Sequence, residues 1–245
     1  MQNRRLIGLI LLLSVTTSLN AGTTDDEPVP AGNYATEEGW GQLTVKSGSA
    51  GAMTFSITTN STGTSGCALR GTLKRSIGMA RDGLRACSIH FKRTHDGVEL
   101  VADPNSATCQ ELCGANGNFE GEYRAILPLC TPAGVSTARN AFMRDYKARN
   151  YSNSVLTLRS VLDHCAPVLD EFQRGAIRND LALAQYKSGD QGACLATLEP
   201  YRADANRRDD EIEKDWSGSP SSLDLLSKYL GLIKAARTNL RLCSR

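Results

Sequence analysis

The chain of 245 residues carries 28 basic and 26 acidic side chains, and taking away residues 1–21 removes Arg4 and Arg5 but no acid, leaving 26 of each sign. A balanced chain has no global field to draw it to nucleic acid or an anionic membrane, so function through bulk charge is excluded. The remaining length suffices for two modest domains with small cores, the size class in which disulfides contribute most.

Arg4 and Arg5 precede the apolar run Leu6 to Val15, and the small residues Ala21 and Gly22 follow it. A charged start, a short apolar core and a small-residue exit are the parts of a secretory signal, so residues 1–21 are read as a signal peptide. The run is too short for a comfortable membrane span and no second one follows, so no membrane anchor is expected after signal removal. Residues 22–33 are polar, acidic and proline-bearing, and read as a disordered tail.

From residue 34 to 129 the texture is that of an antiparallel β domain, a small sheet or half-barrel. Gln42-Leu43-Thr44-Val45, Met53 to Thr59, Cys67 to Leu73, Ala86 to Phe91 and Val98 to Val101 are short runs, most of them alternating, separated by glycine and serine. Cys87, Ile89 and Phe91 are expected to face inward, with Ser88, His90 and Lys92 outward. The segment Cys109 to Tyr123 joins the two halves with a close cysteine pair, glycines and aromatics. Asn116, Asn118, Phe119, Glu120, Glu122 and Tyr123 form its candidate binding loop; a structural corner that ends the β domain is the alternative.

Residues 130–245 are helical in pattern, with segments at about 135–149, 152–164, 169–187, 191–213 (broken at Pro200) and 221–242. Tyr146-Lys147-Ala148-Arg149-Asn150-Tyr151 leads to Ser154, and 40 residues later Tyr186-Lys187-Ser188-Gly189-Asp190-Gln191 leads to Cys194. Tyr186, Gly189 and Asp190, and more loosely Tyr146, Asn150, Tyr151 and Ser154, resemble the helix–turn–helix unit of tetratricopeptide-like repeats. The period of 40 exceeds the usual repeat of about 34, Arg149 stands at the turn glycine, and Pro200 falls inside a second helix. The resemblance covers about residues 134–243 and implies an all-α tetratricopeptide-like array presenting a concave surface to protein partners; with the small disulfide-bonded β domain before it, a two-domain α+β chain is expected.

Eight cysteines, all between Cys67 and Cys243, read as disulfides in an oxidising compartment. In an array of antiparallel hairpins, Cys130 and Cys165 lie at the same end of one hairpin and Cys194 and Cys243 repeat the arrangement, which predicts those two bridges. In the β half, Cys67 and Cys87 flank a hairpin turning near Gly78, and Cys109 and Cys113 remain as a local pair. Spacing leaves open a pairing of Cys67 or Cys87 with either of the last two. The single close pair has three intervening residues, and His90, His95 and His164 stand apart, so no metal or cofactor is expected.

No catalytic residue is assigned. There is no Gly-x-Ser-x-Gly elbow, and Gly114-Ala115-Asn116-Gly117 lacks the lysine of a phosphate loop. His90, with Glu120 and Glu122 on one strand face, is the candidate set if the chain is a peptidoglycan- or peptide-acting hydrolase. The reading set above that one is an exported, periplasmic or secreted, non-enzymatic protein-binding protein. Its layout of signal, disulfide-bonded β domain and no reactive centre looks like that of inhibitors of cell-wall hydrolases or immunity proteins against secreted toxins. An envelope scaffold acting through its helical repeats is the alternative. The expected partner is a hydrolase, toxin or envelope protein, not nucleic acid.

Overall fold

The computed structural model describes residues 27–48, 51–60, 66–104, 108–114, 117–216 and 220–245. The signal segment lies outside them, as does Asn116 of the candidate loop.

The β half is neither an open sheet nor a half-barrel but a closed barrel of eight antiparallel strands. These are β1 (Gly32–Ala35), β2 (Gly41–Ser47), β3 (Met53–Thr59), β4 (Cys67–Lys74), β5 (Ile77–Asp82), β6 (Arg85–Arg93), β7 (Gly97–Ala102) and β8 (Gly121–Ile126). Each pairs with its chain neighbour, and closure comes from β1 on β8, with Tyr34 opposite Ala125 and Ala35 opposite Arg124. The residues read as a tail therefore belong in part to the barrel: Gly32 and Asn33 start β1, and Val29 is 3% exposed in its core.

Alternation sets the faces as expected, with Phe55, Ile57, Cys87, Ile89 and Phe91 all buried inside. Eight strands leave an interior just wide enough for side chains to fill. Phe55 and Phe91 meet edge-on with centroids 5.1 Å apart. Gly78, read from sequence as a turn, sits inside β5 because a Cβ there would run into both rings.

That extra strand overturns the expected Cys67–Cys87 and Cys109–Cys113 bridges. Cys67 opens β4 and Cys87 lies on β6, with β5 between them, and strands two apart are about 10 Å away from each other, beyond bridging reach. The short helix α1 (Thr108–Cys113) supplies the partners instead. Cys109 and Cys113, four residues apart and so on one helix face, bond Cys87 and Cys67 respectively. The helix is thereby pinned to β4 and β6.

The helical half comprises α2 (Pro132–Lys147), α3 (Tyr151–Cys165), α4 (Glu171–Lys187), α5 (Gln191–Leu198), α6 (Arg202–Ala205), α7 (Asp209–Asp215) and α8 (Pro220–Cys243). The expected 40-residue correspondence exists at the two hairpin turns. Arg149 (φ 61) and Gly189 (φ 88) both turn left-handed, and Asn150 and Asp190 then cap α3 and α5 by accepting from Asn153 N and Ala193 N. It does not make the tetratricopeptide-like array expected from the sequence. The second hairpin's return helix stops at Leu198, where Pro200 tightens the chain into a single 3-10 turn, and two short helices and the long α8 follow.

The expected bridges Cys130–Cys165 and Cys194–Cys243 form, the first closing α2 on α3 and the second tying α5 to the end of α8. Where α8 crosses α4, Gly175 admits Leu232, and a buried amide ladder joins the two helices. Asn179 Nδ2 donates to the carbonyls of Gly175 (3.1 Å) and Leu232 (3.3 Å), while Asn239 Nδ2 donates to the Asn179 side-chain oxygen (3.0 Å). The two halves share a seam. Ala35 points out of the barrel into a cluster with Cys130, Val168 and Leu169, and Gly39 (φ 69) lets the turn after β1 press on the Val168 carbonyl.

Candidate functional site

The candidate loop before β8 is largely occupied in holding the barrel end. Phe119 is buried, its carbonyl accepts the Tyr123 hydroxyl (2.8 Å), and the Tyr123 ring packs edge-on to Trp40 with centroids 6.1 Å apart. Burial pushes the Tyr123 hydroxyl far above its ordinary range, so it stays a neutral donor. Asn118 Oδ1 accepts from Glu120 N (3.0 Å), and the Glu120 carboxylate accepts from Ala102 N (2.7 Å), fixing the end of β7.

Glu122 is exposed on β8 in register with Glu99, which pairs with Lys92 across β6 and β7. Glu120 precedes β8, so the two carboxylates do not form the strand-face pair expected from their spacing. His90 lies on the outer face of β6 opposite Ile77 and Val101, with β7 between it and β8. The structure therefore does not assemble His90, Glu120 and Glu122 into a reacting set. Among the described residues no group of three His, Cys, Asp or Glu side chains could hold a metal.

The repeat positions also serve the fold. Tyr146 stacks against Phe142 and Tyr151, at 5.6 and 5.3 Å, and Lys187 lies over the Tyr186 ring.

What local sequence does not show is the surface formed when α2, α4 and α8 come side by side. Two grooves flank α4. The one toward α2, about 400 Å³, is lined by Val135, Arg139, Met143 and Ile177. The one toward α8, about 370 Å³, is lined by Phe172, Ala176, Leu232 and Ala235, with Asp180 and Lys228 at its edge. Met143 is 46% exposed there. Helical periodicity places these residues on a shared side of each helix, but only the packing of α8 on α4 sets the second groove beside the first.

Asp180 stands between the grooves, its carboxylate bonded to the Arg139 guanidinium at 3.1 Å. Burial nonetheless holds this carboxyl above its ordinary range, outweighing the arginine. Asp204 is the opposite case: the hydrogen bond from the Tyr229 hydroxyl, helped by Arg207, holds it below that range.

The two shifts act in opposite directions on stability. A carboxyl with a raised folded pKa binds its proton more tightly when folded, so its contribution worsens as pH rises through the carboxylate range; one with a lowered folded pKa contributes stability above its unfolded value of about 4 and loses it as pH falls through the folded value. Asp180→Asn is therefore expected to raise the neutral-pH melting temperature slightly and Asp204→Asn to lower it, with both differences smaller near pH 3, the Asp204 one fading last. Melting curves at the two pH values check this, and a lower melting temperature for Asp180→Asn at neutral pH would show that the ion pair outweighs burial.

A third depression, of about 560 Å³ beside α6 and the end of α8, contains Arg202, Arg237 and Arg241. Arg237 there bonds the carbonyls of Ala205 and Arg207 and the Asp209 carboxylate, and Arg202 pairs with Glu199, so this cluster fastens the connector onto α8.

Four disulfides fit an oxidising, extracellular compartment, and among the described residues no helix is long and apolar enough to cross a membrane. No family model, curated protein or solved structure matches this chain.

Proposed function

We propose that the chain is an exported, periplasmic or secreted, protein-binding protein whose binding face is the α2–α4–α8 surface, and that it acts as an inhibitor of a cell-wall hydrolase or secreted toxin. The observation that carries this reading is the Asp180 carboxylate. It stands partly buried between a groove of mixed lining toward α2 and a largely apolar one toward α8, and burial holds it above its ordinary range despite Arg139. A carboxylate held above its ordinary range at the edge of a groove gains when a partner's donor or cation covers it, which favours a binding role for this face. The occupant is a segment of the partner with an apolar anchor for the groove toward α8, a polar-tipped one for the mixed groove toward α2, and a hydrogen-bond donor or cation between them to complete the surroundings of Asp180.

Export is supported by the signal-like residues 1–21 and by the four bridges.

The test mixes the mature protein with a panel of purified peptidoglycan hydrolases, reading complex formation by size-exclusion chromatography and inhibition by residual turnover. A one-to-one inhibited complex is expected with at least one hydrolase. Met143→Arg and Ala176→Arg, each filling one groove, should weaken it by about a hundredfold (about 2.7 kcal/mol) with melting unchanged. Asp180→Asn should weaken binding while raising the melting temperature, which a merely structural role for Asp180 would not do. Inhibition unaltered in both arginine variants would overturn the assignment of this face. Complex formation without inhibition would favour the scaffold reading, and no complex with any member would remove the hydrolase as the partner.

A further inference from the structure

The overall balance of charge hides a strong local imbalance on the barrel. Between residues 41 and 81 the chain has Lys46, Arg70, Lys74, Arg75 and Arg81 but no aspartate or glutamate. Register gathers part of this charge on one outward face. Thr44 on β2 stands opposite Ser56 on β3, which stands opposite Arg70 on β4; one step along, Lys46, Thr54 and Thr72 form the next row. The inward positions of the same strands are taken by Leu43, Val45, Phe55, Ile57 and Leu69, so this face is free of the core.

Long side chains over short ones make a depression here of about 580 Å³. Its walls are Lys46 and Arg70, and its floor is Thr44, Thr54, Ser56, the bare backbone at Gly71 and the strand at Phe55, whose ring is turned into the core and buried. Lys46 and Arg70 are exposed and enter no ion pair among the described residues. Two cations about 12 Å apart, on a diagonal of two strand spacings across β3 and two residues along it, with hydroxyls between them, offer charge to anionic groups and hydrogen bonds to hydroxyls in one place.

We propose that this face of β2–β3–β4 binds an anionic polysaccharide, its acidic groups on Lys46 and Arg70 and its sugar hydroxyls on Thr44, Thr54 and Ser56. The outward positions of these strands carry no aromatic residue. Single-stranded nucleic acid, which binds by stacking its bases on aromatic side chains, is therefore disfavoured. The same absence of a large apolar side chain on this face disfavours insertion into a lipid surface. The site is on a different element from the helical grooves, so it stands whatever occupies them.

The test measures binding of the full mature chain by calorimetry to dextran sulfate, polygalacturonate, neutral dextran, duplex DNA and phosphatidylglycerol vesicles. The two anionic polysaccharides distinguish sulfate from carboxylate as the recognised group. Binding to at least one of them, weakening with added salt and absent for neutral dextran, is expected. K46E/R70E should weaken it at least about tenfold without moving the melting temperature, because both side chains point outward. K46Q/R70Q serves if the charge reversal does not fold, and K234E, at an exposed position of α8 outside both grooves, should bind as the parent does. Affinity within twofold of the parent for the double variant would overturn the proposal. So would equal binding of neutral dextran, or DNA or vesicles bound more tightly than both polysaccharides.

Discussion

Replacing Cys194 and Cys243 together by serine is expected to cost about 4 kcal/mol, from the chain freedom restored when a closed loop of 49 residues is opened. Both sulfurs are buried in the cluster formed by α4, α5 and α8, so each new hydroxyl adds the burden of a polar group in an apolar place. The loss should be local. The barrel has its own two bridges and its own core, whereas α8 is held to the rest by this bridge, the Asn179–Asn239 ladder and the Arg237 contacts. Helical ellipticity should therefore melt well below the parent, by roughly 10 °C, and amides of α8 should exchange fastest. A melting temperature within a degree of the parent would show that the packing of α8 on α4 suffices alone.

Gly71→Ala should also be strongly damaging, at about 3 kcal/mol or more, although it adds one methyl group to a strand. A Cβ at this position would overlap the Met79 carbonyl oxygen and approach the Phe55 ring to 2.8 Å. Backbone cannot step aside as a flexible side chain can. Relief would require β5 to leave its register with β4, where Gly71 faces Ala80 and Thr72 faces Met79. The barrel could then not close at this point. Gly231→Ala in α8 is the matched control: nothing lies within 4 Å of its Cβ, so the change should be neutral or stabilising by about 0.5–1 kcal/mol. Denaturant unfolding of the two variants checks the contrast, and equal midpoints would mean that the β4–β5 ladder tolerates local repacking.

How much was legible in the sequence follows from the range of each interaction. Alternation in Ala86 to Phe91 is written in adjacent residues, and it assigns the buried face of β6 correctly. The Cys130–Cys165 bridge was legible because its hairpin is local; the Cys194–Cys243 bridge also forms as expected, although α6 and α7 stand between α5 and α8 and no simple hairpin joins them. The barrel bridges were not, because they depend on how many strands intervene. Gly78 reads as a turn wherever glycine is judged by its conformational freedom, yet here it is needed for its missing side chain beneath Phe91. One unread strand moved Cys87 out of reach of Cys67.

The candidate site was the least legible part. Arg139, Asp180 and Lys228 lie on three helices, and nothing in their spacing announces a shared surface. The residues that did look functional, Phe119 to Tyr123, are mostly engaged in closing the barrel end.

The sequence by itself determined the division into a β half and a helical half, the inward faces of the longer strands, the two hairpin turns and the oxidising character of the chain. These rest on periodicity and on residue chemistry within a few positions. Only the tertiary structure decided that the sheet closes, which strands α1 is bonded to, and that α8 returns to α4 to form the second groove. Each of those joins segments far apart in the chain, such as Tyr34 with Ala125 or Asn179 with Asn239. A local pattern specifies which face an element buries, but not which distant partner covers it.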